Sequence, residues 1–132
     1  MNKRFWIIGG LSLIIISLSA TGTMIFFEIQ QGKSEGLAYA KKHDKRACVR
    51  EVTKGKRICT EFSCFLNNRF FYQTCMDNAR ASASLCNSVP SIGNLFQFEA
   101  WKNKQCKKIG RADRGCHHIW QKVRNICKLA EN

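Results

Sequence analysis

A chain of 132 residues allows one small domain beside any membrane segment, and a core of that size is marginal without covalent help. Its 22 Lys and Arg against 9 Asp and Glu leave a formal charge of +13, which favours anionic partners without choosing among them. The 8 cysteines include no Cys-x-x-Cys pair, which argues against the common zinc knuckle and the thioredoxin-type site. They read instead as disulfides made in an oxidising space.

Residues 1–4 form a short basic leader carrying Lys3 and Arg4. Phe5 to Phe27 follows without a charge. That run exceeds the ~7–15 residues of a signal-peptide core and matches the ~20 of a membrane-crossing helix. Ala20-Thr21-Gly22 offers small residues to a signal peptidase, but Met24-Ile25-Phe26-Phe27 continues the apolar run beyond it. The segment 5–29 is therefore expected to be an uncleaved transmembrane signal anchor. Lys3 and Arg4 hold the N-terminus in the cytoplasm, and the cysteines place the remainder on the oxidising side, a bacterial periplasm being the leading expectation. Residues 30–47 read as a polar, basic stalk that packs lightly or acts as a spacer, with Ser34 as a candidate helix cap.

The stretch 48–130 is expected to be a cysteine-rich helical domain. Cys48 to Cys59 reads as a hairpin or loop, since Val49, Val52, Thr53 and Ile58 are β-branched and Lys54-Gly55 is a turn signal; the alternative is a helix end, a turn at Gly55 and a second helix. From Thr60, a candidate N-cap, a helix is expected to run towards Pro90. A second spans Leu95 to Ile109, with Asn94 as its cap. Gly110 to Gly115 is a break with Asp113 as a cap, and an amphipathic helix follows from Cys116 through Ile119, Trp120, Val123, Ile126 and Cys127. The expected fold is mainly α: a transmembrane helix followed by a small disulfide-stapled helical hairpin or bundle.

Cys64, Cys75 and Cys86 lie 11 apart, as do Cys116 and Cys127. Eleven residues is close to three helical turns, so each set shares a stripe. In an antiparallel hairpin centred near Pro90, three pairs come into register: Cys64–Cys127, Cys75–Cys116 and Cys86–Cys106. Cys48–Cys59 remains as the fourth bridge. A true turn at Gly110–Gly115 would favour Cys75–Cys106 instead. The spacing of Cys64/Cys75 and Cys116/Cys127 resembles the twin Cys-x9-Cys helical hairpins of the mitochondrial intermembrane space, here with ten intervening residues. The resemblance covers spacing alone, and it implies a structural or assembly role rather than catalysis.

No paired carboxylates, nucleophile motif or phosphate-cradling glycine loop is present, so the reading is non-enzymatic, without cofactor. His117 and His118 adjoin Cys116, a metal-like cluster unless Cys116 is bonded to another cysteine; bonding is the preferred reading, and no metal is expected. His43 is read as solvated. Two basic clusters stand out. One comprises Lys41, Lys42, Lys45, Arg46, Arg50, Lys54, Lys56 and Arg57. The other comprises Lys102, Lys104, Lys107, Lys108, Arg111 and Arg114, continued by Lys122, Arg124 and Lys128. The second is the candidate surface for an anionic partner, near Phe98 and Trp101, although both tryptophans are better placed in a core. The expected role is a binding or assembly component of a cell-envelope complex with a protein partner. The alternative is a cationic binder of anionic lipid, polymer or nucleic acid at the membrane surface, with nucleic acid the less favoured.

Overall fold

In the computed structural model, residues 3–54, 59, 61–90, 95–111 and 113–130 are described, with side chains described from residue 22 to 128 within those ranges. The described part is mainly helical: α1 Lys3–Ala40, α2 Lys45–Thr53, α3 Phe62–Asn78, α4 Ala83–Cys86, α5 Leu95–Lys108 and α6 Arg114–Ala130. Among the described residues there is no strand, only a single bridge between Asp44 and Arg80.

Helix α1 is 38 residues long, about 57 Å at 1.5 Å per residue. Its second half is no stalk. Gly32, Gly36 and Ala40 recur every fourth residue and are buried, and the two glycines face α3. A Cβ on Gly32 would collide with the Asn67 carbonyl oxygen, and one on Gly36 would lie 2.5 Å from that of Phe71. The two backbones therefore touch directly. Contacts advance together on both helices, Gly32 at Asn67 and Gly36 at Phe71, so α1 and α3 run parallel. Lys33 over the Phe70 ring and Tyr39 edge-on to Phe71 flank the seam.

Asp44 caps α2, its carboxylate accepting the Ala47 N–H at 2.8 Å. The expected hairpin over 48–59 is thus replaced by a helix that carries Cys48 and ends at Thr53; Gly55 to Ile58 lie outside the described residues, as do the caps proposed at Thr60 and Asn94. The helix expected from Thr60 towards Pro90 is interrupted. It begins at Phe62 behind Glu61, ends at Asn78, and resumes only as the one-turn α4. The core comprises Val49 and Val52 of α2, Phe71, Tyr72, Cys75 and Met76 of α3, Leu85 of α4, and Ile119 and Val123 of α6.

Helices α5 and α6 form an antiparallel hairpin. Gly110, at φ 68°, takes the left-handed conformation that glycine adopts without penalty. The Arg111 N–H reaches back to the Cys106 carbonyl and the Gly110 N–H to that of Lys107, the paired bonds of a Schellman end. Asp113 caps α6 as expected, accepting the Cys116 N–H at 3.0 Å. Trp101 stacks on Phe98 within α5 and meets Trp120 of α6 edge-on, with Arg124 4.3 Å from the Phe98 ring centroid.

All 8 cysteines are bonded, but in none of the expected pairs. The bridges are Cys48–Cys75, Cys59–Cys64, Cys86–Cys127 and Cys106–Cys116. The ladder of Cys64–Cys127, Cys75–Cys116 and Cys86–Cys106, with Cys48–Cys59 beside it, required α3 and α6 to be antiparallel. They run in the same direction: Tyr72 bonds the Ile119 carbonyl and Lys122 pairs with Asp77. The turn at Gly110 is real, yet it joins Cys106 to Cys116 and not to Cys75. The stapled-hairpin resemblance fails for Cys64/Cys75 with Cys116/Cys127; nested bridges instead close the quartet Cys48, Cys59, Cys64 and Cys75.

Among the described residues no helix is long and apolar enough to cross a membrane. The side chains of residues 5–21, most of the expected span, lie outside the described set.

Candidate functional site

A mostly apolar groove of about 660 Å³ lies between α3 and α6, closed at one end by Cys59 and Val52. Phe65, Tyr72 and Ile119 form its apolar wall, and Arg69, Arg111, Arg114 and His118 line its rim. The parallel course of α3 and α6 puts these residues together, since positions 65, 69 and 72 of one helix match 114, 118 and 119 of the other.

The cations are not equivalent. Arg111 is held by Asp113, with Nε to Oδ2 at 2.7 Å and Nη2 to Oδ1 at 2.9 Å. That pairing holds the Asp113 carboxyl below its ordinary range, helped by the α6 N–H groups. Arg69 and Arg114 have no carboxylate partner among the described residues, so they leave the groove cationic. Burial pushes the His118 imidazole down, with Arg69 and Lys122 adding to the effect, which favours its neutral form. The Tyr72 hydroxyl donates to the Ile119 carbonyl at 2.8 Å, and burial raises its pKa.

A second groove, of about 480 Å³, lies on the other side of α3's first turns and is acidic: Glu28, Glu35 and Glu51 line it with Ser63, Cys64 and Asn67. Cys59 faces the cationic groove and Cys64 the acidic one, so their disulfide stands between the two. The Asn68 amide reaches both sulfurs, Nδ2 lying 2.8 Å from Cys59 Sγ and 3.8 Å from Cys64 Sγ.

The candidate anion surface is only partly assembled. Lys104, Lys107 and Lys108 are exposed along one face of α5. Lys102 is buried instead, bonded to Glu99 at 2.7 Å and lying over the Phe98 ring. Arg111 is committed to Asp113, and Arg114 belongs to the groove. In the first cluster, Arg46, Arg50 and Lys54 line a cleft of about 670 Å³ beside Ser84, Ser88 and Trp120, while Lys56 and Arg57 lie outside the described residues. His43 stacks on Tyr39, with ring centroids 4.0 Å apart, rather than standing free in solvent. Cys116 is bonded to Cys106 and is not available to form a metal site with His117 and His118.

Sequence reading missed Phe65, Arg69 and His118 as one site and missed the Gly32/Gly36 seam. The four-residue spacing of small side chains was the signal for the seam. The groove had none, because it depends on helix direction. Compared with known protein families, curated proteins and solved structures, the chain matches none.

Proposed function

We propose that the chain is a membrane-anchored, exported binding protein: the charge-free stretch from Phe5 to Phe27 holds it in a membrane, and the disulfide-closed domain docks on a protein partner in an envelope assembly. The observation that carries this reading is the way α1 ends. The helix that contains the charge-free stretch continues into the domain and is clamped to α3 through Gly32 and Gly36. A docking domain seated on its anchor in this way presents its grooves at a fixed height and orientation. Met24, Phe26 and Phe27 of α1 and Phe62 at the start of α3 are exposed where α1 leaves the domain, as suits an apolar boundary. Four disulfides suit an oxidising space such as a periplasm.

The test is affinity purification of the full chain from its native membranes in high salt, together with a topology reporter fused after Asn132. A stoichiometric protein partner and an externally exposed reporter are the expected results. Recovery of only anionic lipid or nucleic acid, lost as salt rises, would replace this reading with that of a cationic surface binder.

A further inference from the structure

Three of the four bridges bury at least one of their cysteines: Cys48 and Cys75, Cys106 and Cys116, and Cys127. Cys59–Cys64 differs. Both of its cysteines are only half-buried, it closes a separation of 5 residues, and each sulfur lines a groove. Thiol–disulfide exchange is governed by access and by how well the departing thiolate is stabilised. Both sulfurs line grooves, and two features of α3 act on the departing thiolate against the carboxylates of the acidic groove. Cys64 is the third residue of the 17-residue helix α3, where the helix N-terminus favours a thiolate, and the Glu61 side chain does not cap that end. Asn68 offers an N–H donor to both sulfurs.

We propose that Cys59–Cys64 is an exchangeable disulfide that oxidises a dithiol bearing negative charge beside its thiols, with the Phe65–Arg69–Arg114 groove as the side of approach. Attack on a disulfide proceeds along the S–S axis, so a thiolate in the cationic groove meets Cys59 and expels Cys64. On this side stand Arg69 and Arg114, with Arg111 and Asp113 paired to one another and His118 favoured neutral. From the opposite side an incoming thiolate would meet Glu28, Glu35 and Glu51. The donor thiolate bonds to Cys59 Sγ, the S–S bond breaks, and Cys64 leaves as a thiolate at the start of α3. The donor's second thiolate then attacks its own sulfur in the mixed disulfide, forms the donor's disulfide, and releases Cys59 as a thiolate beside Asn68. Two electrons pass to the bridge, and the two protons of the dithiol end on Cys59 and Cys64. The proposal does not depend on the membrane reading.

The experiment treats the full chain, in detergent micelles, with 2-mercaptoethanesulfonate, 2-mercaptoethanol or cysteamine, which are anionic, neutral and cationic respectively. Alkylation and peptide mapping then follow each bridge. Cys59 and Cys64 should become alkylated at least about tenfold faster than any other pair. In Arg69→Gln/Arg114→Gln the rate with the anionic thiol should fall several-fold while that with the neutral thiol holds. Lys104→Gln/Lys108→Gln, an equal charge loss on the outer face of α5, should keep the wild-type rates. If the groove variant does not fold, the salt dependence in the wild type decides: the anionic thiol's rate should fall as salt rises. Opening of another bridge at the same rate, equal slowing with all three thiols, or an anionic rate indifferent to salt would each overturn the proposal.

Discussion

The α1–α3 seam and the α5–α6 hairpin solve the same problem, holding two helices together, by opposite means. The seam works by omission: Gly32 and Gly36 present no side chain, and the helices meet backbone to backbone. The hairpin works by accumulation: a glycine-ended turn, an aspartate cap, an aromatic stack under two cations, and a covalent bridge. A contact made by absence has no slack for an added atom, whereas a contact made of many parts loses them one at a time.

The largest effect should come from filling the seam. Gly32→Val with Gly36→Val should cost about 1–3 kcal/mol at each site and lower the urea midpoint, with the disulfides intact, more than any single change in the hairpin. Opening the hairpin's bridge comes next. Cys106→Ala/Cys116→Ala removes a closure spanning 10 residues, worth about 2–3 kcal/mol in the chain-entropy account. Hydrogen exchange across residues 67–76 should stay slow in that variant, because the seam is untouched.

Asp113→Ala removes the cap and should cost about 1 kcal/mol. It also tests a sign. The Asp113 carboxyl is held below its ordinary value, first by the bond from Arg111, so its contribution is present above the unfolded pKa and disappears as pH falls through the lower folded value. Acid unfolding should therefore be less pH-dependent in the variant. Arg124→Gln, which takes a guanidinium from the Phe98 ring, should cost about 0.5–1 kcal/mol in chemical denaturation.

The smallest effect concerns His118, between the two regions. Its pKa is lowered by burial in the fold, so the folded chain binds fewer protons than the unfolded one. Stability should be complete above the ordinary imidazole value of 6.5 and fall as pH drops below it. His118→Gln should flatten that slope in thermal melts taken across the range.

The same contrast explains what could be read in the sequence. The hairpin was legible because its parts are local: Gly110 as a break, Asp113 as a cap, and an apolar stripe along α6. The seam was not, because Gly32 and Gly36 amid Gln, Lys and Glu look like a linker, and their partner lies some 35 residues away in α3. Full use of the cysteines in disulfides was legible from their number and spacing. Their pairing was not, because the chain breaks at Ala79–Ser82 with neither glycine nor proline to announce it. That unseen break sends α6 parallel to α3, which removes the register the ladder needed and creates the groove around Arg69 and Arg114.

The bridges also divide the chain in a way that its packing conceals. Cys59–Cys64 nests inside Cys48–Cys75, and Cys106–Cys116 nests inside Cys86–Cys127, so no bridge crosses from the first half to the second. A single proteolytic cut after the exposed Arg80 would leave two pieces joined by noncovalent contacts alone, the packing of α2 and α3 against α4 and α6 with the Tyr72–Ile119 and Lys122–Asp77 bonds, separable by denaturant without any reductant. A cut after Lys107 or Lys108 would leave both ends tethered through Cys106–Cys116 and Cys86–Cys127. The molecule is one body by packing and two by covalent connection, with Arg80 at the hinge of that distinction.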